Sequence, residues 1–414
     1  MKDLLQVLTP QMAAKKLDEH LNLSPGELEE IPLAKALGRI IGEDILSPED
    51  LPGFSRSTMD GYAVKAQDTF GSSEGIPGYL TLVGEVLMGE QAGVQIGPGQ
   101  AVKIATGGML PEGADAVLML EYTQEISSDM LEVVKEVGPG ENTVRRGEDV
   151  EKGQIVLTKG TGIRPQEMGA LSGLGISRVK VFPLPRVAVI STGDELVSLE
   201  EIPGPGQIRD INSPAIGAQI TQEGGLPLYL GIVKDDYQSL KATIQAALEK
   251  ADLVVVSGGS SVGTRDVTLD VIQELGNPGV LVHGVSVRPG KPTILGSVGG
   301  KGIFGLPGHP VSAMIIFDIF VAPVIRRLTG LAEGLTGQNR RIIQAKLGRN
   351  MASAAGREDY LRVALVEKEG EIWAEPILGK SGLISTMVKA QGTVKIPAVK
   401  EGLLAGELVE VTLF

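Results

Sequence analysis

Apolar positions recur along this chain in two periods, and the change between them divides it. Thr9-Pro10 has the form of a helix N-cap followed by proline at the first helical position, and Ala14, Leu17 and Leu21 then share one face, which predicts a short amphipathic helix. From about Leu51 to Val150 the pattern changes to short strand-like runs, Tyr79–Val83, Ala101–Ala105, Ala116–Leu120 and Met130–Val134, separated by Gly and Pro turns. Arg164–Leu174 reads as helical again. The expectation is therefore a small helical and linker domain made of 1–50 and 150–182, with an all-β module, 51–149, inserted between its two parts.

From Pro185 strands and helices alternate. Arg186–Ile190, Leu228–Val233 and Leu253–Val256 are apolar strands, with helices from Ser213 to Gly224-Gly225 and from Tyr237 to Glu249 between them. A helix from Val267 to Leu275, strands near Thr293–Leu295 and Gly302–Gly305, and a helix from Pro310 to about Leu328 complete the series. Such alternation predicts a doubly wound, mostly parallel α/β sheet domain over 183–330. The runs Arg341–Lys346, Leu361–Val366, Ile372–Pro376, Val394–Pro397 and Leu408–Leu413 predict a C-terminal β-barrel over 331–414. The fold class expected is thus multi-domain, α/β plus β.

Chemistry concentrates in the loops after the parallel strands, where sheets of this kind bind ligands. These loops are Ser191-Thr192-Gly193-Asp194-Glu195, Gly258-Gly259-Ser260-Ser261-Val262-Gly263, Leu306-Pro307-Gly308-His309-Pro310 and Arg288-Pro289-Gly290-Lys291-Pro292. Glycines there are expected to let backbone N–H groups crowd around an oxyanion, and Arg288 and Lys291 add fixed cations. Asp194 and Glu195 are open to two readings, a Mg²⁺ or hydroxyl ligand and a solvated loop pair. Asp266 is equally an N-cap or a ligand, whereas Asp235-Asp236 reads as a helix cap. Asp60, before Gly61, has the form of a turn residue, Asp149 that of a loop acid, and His309 that of a donor to a backbone carbonyl. No dinucleotide-binding glycine pattern follows the first strand of the series, and no P-loop is present.

Composition narrows the partners. Thirty-eight Lys and Arg against 51 Asp and Glu give a net charge of −13 over 414 residues, which argues against nucleic acid. The absence of cysteine excludes thiolate chemistry and Cys-based metal sites, and the three histidines are too scattered for a His cage, so a bound metal is expected to be oxygen-ligated, as Mg²⁺ is. The longest apolar stretch, Val311–Ile325, is interrupted by Asp318 and shorter than the roughly 18 to 20 residues of a membrane span, so a cytoplasmic protein without a membrane partner is expected.

Read in order, Ser57-Thr58-Met59-Asp60-Gly61-Tyr62-Ala63, Ala105-Thr106-Gly107-Gly108, Arg146-Gly147-Glu148-Asp149, Ser191-Thr192-Gly193-Asp194-Glu195-Leu196, Ser257-Gly258-Gly259 with Val262-Gly263 and Asp266, Pro289-Gly290-Lys291-Pro292 and Leu306-Pro307-Gly308 resemble the molybdopterin molybdenumtransferase family, which includes the E domain of gephyrin. The resemblance spans the whole chain. It implies a homodimer with a composite active site, in which adenylyl-molybdopterin is hydrolysed with Mg²⁺, AMP is released and molybdate enters the dithiolene, whose thiolates belong to the substrate. It further implies that Thr192, Gly193, Asp194 and Glu195 belong to the molybdopterin-binding loop and Gly258, Gly259, Ser260 and Ser261 to the phosphate-binding loop. Asp266 and Glu195 would be metal or substrate carboxylates, and Arg288 and Lys291 would lie on phosphate or molybdate oxygens. Pro307 and Pro310 would shape the anion pocket, and Asp60, Thr106 and Asp149 would come from the partner subunit. Two positions depart from the family pattern: Gly284, where many members carry a second basic residue, and His309, where the motif has Asn. Related alternatives are a molybdopterin adenylyltransferase, which is essentially the α/β domain alone, and a non-catalytic scaffold of the same fold.

Overall fold

The computed structural model describes residues 7–258, 267–331 and 341–414. The chain divides into two bodies, one made of Met1–Glu30, Gly38–Gly42 and Lys180–Phe414, the other of Ile31–Leu37 and Glu43–Val179.

The first body is built on a six-stranded sheet in the order Leu226–Val233, Arg186–Thr192, Leu253–Ser257, Lys301–Leu306, Ile294–Val298, Pro278–His283. Five strands run one way and Ile294–Val298 runs against them. The central strands read as unbroken apolar runs because both faces are covered. Val187, Val189, Leu253, Val255, Phe304 and Leu306 join one core, with Ile216 and Ile220 of the helix Asn212–Gln222. Ala188, Ile190, Val254, Val256 and Ile303 join the other, with the helices Tyr237–Lys250 and Val267–Leu275. Burying one such Val, Leu or Phe contributes about 1.5–3 kcal/mol, so this alternation is what holds the strand ends in register.

Two expectations are revised here. The helix Pro10–His20, capped as expected by Thr9 Oγ1 accepting from the Met12 N–H at 3.3 Å, does not supply a separate helical domain. Its apolar face, Ala13 and Leu17, is used up in the core beside Val187 and Phe304, and a helix has only one such stripe to bury. The segment Pro310–Leu328 is helical throughout, but Phe317–Val321 forms a π turn between Pro310–Ile316 and Ala322–Leu328. Pro323 has no N–H to return four residues, and the wider turn accommodates it.

The C-terminal strands Ile342–Leu347, Glu358–Lys368, Glu371–Pro376, Gly392–Ile396 and Leu408–Leu413 close on themselves, because Glu358–Lys368 pairs both with Glu371–Pro376 and with Gly392–Ile396. This β-barrel has its own core, including Leu347, Val363, Val394 and Val411. Val287–Arg288 adds to it in parallel, opposite Glu358 and Asp359, and so ties the barrel to the α/β sheet within the first body.

The second body carries a six-stranded sheet in the order Ala116–Met119, Gly61–Val64, Gln100–Ile104, Gly78–Val86, Met130–Val133, Thr123–Ser127, together with the helix Pro165–Gly173. Among the described residues no helix is long and apolar enough to cross a membrane.

Candidate active site

At the carboxyl edge of the parallel strands the chain turns are held by side-chain bonds as well as by glycines. Gly258 leaves its strand with φ +111°, and a Cβ there would stand 2.0 Å from the Thr192 carbonyl oxygen, so only glycine lets the two loops cross this closely. The Gly258 N–H donates to the Leu306 carbonyl at 3.2 Å and that of Gly193 to the Val233 carbonyl at 3.4 Å. These two N–H groups are therefore spent on the sheet rather than aimed at an oxyanion, and the glycines act through close approach. Asn212, which the sequence reading did not single out, ties the rim together: its Nδ2 donates to Ser257 Oγ at 2.6 Å and to the Gly308 carbonyl at 2.9 Å. Asp210 caps that helix by accepting from the Asn212 and Ser213 N–H groups at 3.0 and 3.1 Å.

The paired acids after Tyr229's strand separate in role. Asp236 caps its helix through the Ser239 N–H at 3.0 Å, but Asp235 turns back and accepts from the Thr192 hydroxyl. Asp194 and Glu195 are exposed, with the Glu195 carboxylate folded over Gly193, where a Cβ would meet it at 2.8 Å. Gly259, Ser260, Ser261 and Asp266 lie outside the described residues.

Within the first body, the loop 284–293 and the loop 306–310 open on a cavity of about 1220 Å³ whose far wall is the barrel. Arg288, Lys291 and Pro307 line it, and Pro310 stands buried at the adjoining helix start. The barrel contributes what the sequence reading missed: Arg357, Asp359, Arg362, Lys380 and Ser381. Five cationic side chains thus face one carboxylate, in a chain whose total charge is −13. Asp359, 2% exposed, is shared by Arg357 at 2.8 Å and Arg288 at 3.5 Å. Among the described residues Arg362 has no carboxylate partner. Its Nη1 donates to Thr386 Oγ1 at 2.8 Å and Nη2 to the Gly379 carbonyl at 2.9 Å, its Nε is buried without a partner, and burial pulls its guanidinium below the ordinary value. A part-buried cation without a counter-ion among the described residues is the element of this wall best placed to take an anion. His309 does not donate to a backbone carbonyl as expected; its Nδ1 lies 2.9 Å from Ser381 Oγ, because the 379–382 loop packs against the helix start.

The second body holds a distinct group. Asp60 Oδ1 accepts both the Thr106 N–H, at 2.7 Å, and the Thr106 hydroxyl, at 2.9 Å. The backbone bond first and the hydroxyl second hold this exposed carboxyl below its ordinary value. Gly61 follows because a Cβ there would lie 1.9 Å from the Leu118 carbonyl oxygen, so the residue is a strand position and not merely a turn. Asp149 sits in a turn laid along the same segment: its N–H donates to the Leu51 carbonyl at 3.1 Å, that of Gly147 to Pro52 at 3.0 Å, and that of Arg146 to Ser55 Oγ at 3.1 Å. Ser57 in turn exchanges backbone bonds with Gly107 and Gly108, so the three motifs around Asp60, Thr106 and Asp149 adjoin one strip of chain.

A doubly wound sheet whose carboxyl edge opens on a cation-walled cavity closed by a barrel defines a protein that takes an anionic ligand. Three family models match the chain: the MoeA N-terminal region (domain I and II) over residues 8–175, a probable molybdopterin binding domain over 188–327, and the MoeA C-terminal region (domain IV) over 344–414. The chain is 33% identical to the molybdopterin molybdenumtransferase of Haemophilus influenzae over 410 residues, covering 99% of each, and 33% identical to that of Bacillus subtilis, covering 94% of this chain and 90% of the relative. A crystal structure of the molybdopterin biosynthesis MoeA protein from Pyrococcus horikoshii superposes with a TM-score of 0.83 at 41% identity, covering 99% of both chains. The chain belongs to the MoeA family of molybdopterin molybdenumtransferases, enzymes of molybdenum cofactor biosynthesis.

Proposed function

We propose that this chain hydrolyses the pyrophosphate bond of adenylyl-molybdopterin and inserts molybdate into the substrate's dithiolene, yielding molybdenum cofactor and AMP. The observation that carries this reading is the cavity between sheet and barrel, with Arg362 lacking a carboxylate and Arg288, Lys291, Arg357 and Lys380 around it. Charge-assisted bonds to phosphate or molybdate oxygens are the strongest available there, and the bidentate guanidinium fork matches two oxygens at once. In the hydrolytic step water forms the new P–O bond as the bridging P–O bond of the pyrophosphate breaks, and AMP leaves. Asp60, held as a carboxylate by Thr106, is suited to orient water or a cation rather than to store a proton at neutral pH.

Mg²⁺ is retained in proteins by one or two carboxylates completed by water and substrate phosphates, and the exposed Glu195 fits that donor type; with Asp266 it would hold the ion. When bound, the ion supplies charge neutralisation on the phosphate oxygens. Asp60, Thr106 and Asp149 are lent by a second copy in a homodimer, so that each site is composite; Phe54 and Met59, 41% and 40% exposed, offer apolar surface beside them for such a partner.

The test follows AMP. Incubated with adenylyl-molybdopterin, Mg²⁺ and molybdate, the protein should release AMP, and chelating the Mg²⁺ should stop it. Undiminished release with the metal removed would contradict the metal assignment, and no release under any condition would contradict the reaction.

A further inference from the structure

We propose that His309 is a positioning residue that sets the direction of the Ser381 hydroxyl in the cationic cavity, so that protonating this one imidazole tightens oxyanion binding. The inference rests on the reading of the cavity as the oxyanion site. His309 Nδ1 stands 2.9 Å from Ser381 Oγ, and both residues line the cavity. The pair is fixed independently of ring charge, because the Val311 N–H donates to the Ser381 carbonyl at 3.1 Å and Gly382 packs with its open side toward the ring, where a Cβ would lie 3.7 Å from His309 Cδ2.

A serine hydroxyl has one proton to give. A neutral ring with Nδ1 bare accepts that proton, which leaves only hydroxyl lone pairs turned toward an incoming oxyanion. Once a proton from solvent makes the ring an imidazolium, Nδ1–H can only donate. The Ser381 hydroxyl then accepts from the ring and turns its own proton to the anion, and the cavity gains a positive charge. The other charged and titratable groups on the described wall are Arg288 and Lys291 from the loop 284–293, Arg357, Asp359, Tyr360 and Arg362 from the barrel strand, and Lys380 beside Ser381. Side chains of those types ordinarily titrate outside about pH 6 to 8, whereas imidazole titrates within it. Burial pushes the Tyr360 phenol further up, away from that window.

Sulfate is a suitable probe, being a tetrahedral dianion that does not itself titrate over this range. Its affinity should be measured calorimetrically at about pH 6, 7 and 8, in two buffers of different ionisation enthalpy, for the wild type, His309→Asn and Ser381→Ala. The expected wild-type result is binding at least about fivefold tighter at the acid end, the lower range of coupling between linked sites, with proton uptake on binding. His309→Asn, which keeps an amide partner for Ser381 but cannot titrate, should bind with the same affinity throughout and take up no proton. Ser381→Ala should retain only the part of the dependence due to ring charge. A pH-independent wild type, a dependence that survives in His309→Asn, or a Ser381→Ala dependence equal to the wild type's would each overturn the inference. Failure of sulfate to bind at any pH would instead bring down the cavity reading itself, and this inference with it.

Discussion

Asp60→Ala is expected to cut AMP release from adenylyl-molybdopterin on the order of a hundred- to a thousandfold, the range for losing one charged group that acts in the transition state. Its melting transition should be unchanged, since the side chain is exposed and its partners, the Thr106 N–H and hydroxyl, can turn to water. The sign of the pH effect follows from the same two bonds. They lower the carboxyl below its ordinary value, so the charged form is present throughout the neutral range and is lost only as the pH falls below the usual carboxylate region. The acid limb of the wild-type rate profile should lie there. A variant that releases AMP at the wild-type rate would remove Asp60 from the catalytic assignment.

Arg362→Met keeps the apolar stem and removes a part-buried cavity cation that, among the described residues, has no carboxylate partner. A hydrogen bond to a charged group contributes about 1.5–3 kcal/mol, so the apparent affinity for molybdate, read as KM in the insertion step, should weaken roughly ten- to a hundredfold. Thr386 keeps its bond to the Leu383 carbonyl at 2.7 Å, so the barrel turn stays anchored without the arginine. An unchanged molybdate KM would place the oxyanion elsewhere.

How much of this was legible in the chain itself depends on whether the signal was local. The strands Arg186–Thr192 and Leu253–Ser257 and the helices Tyr237–Lys250 and Val267–Leu275 stand where the hydrophobic pattern puts them, because burial on both faces or on one stripe writes itself directly into the sequence. Gly61–Val64 and Pro278–His283 were invisible as strands, the first hidden behind an Asp-Gly pair and the second opened by Pro and Gly. The helix Pro10–His20 was legible, but its periodicity says only that one face is buried and not against what. The glycine-rich turns marked the sheet edge correctly, yet Gly193 and Gly258 serve close packing there. The barrel half of the cavity could not be read, because Arg357, Asp359 and Arg362 look like ordinary solvated charges until the strand Glu358–Lys368 folds onto the loop at Arg288. A run of charges interrupting an otherwise apolar strand was the available signal.

If each active site draws Asp60 from one copy and Arg362 from the other, two chains impaired in cofactor formation at sub-saturating molybdate can rescue each other. Differently tagged Asp60→Ala and Arg362→Met chains should be co-expressed, the heterodimer purified through both tags, and its formation of molybdenum cofactor from adenylyl-molybdopterin, with molybdate near the wild-type KM, measured beside both homodimers. One of its two sites then holds neither lesion, and turnover should recover to about half the wild-type value per dimer. A heterodimer no more active than either parent homodimer would contradict a site shared between copies.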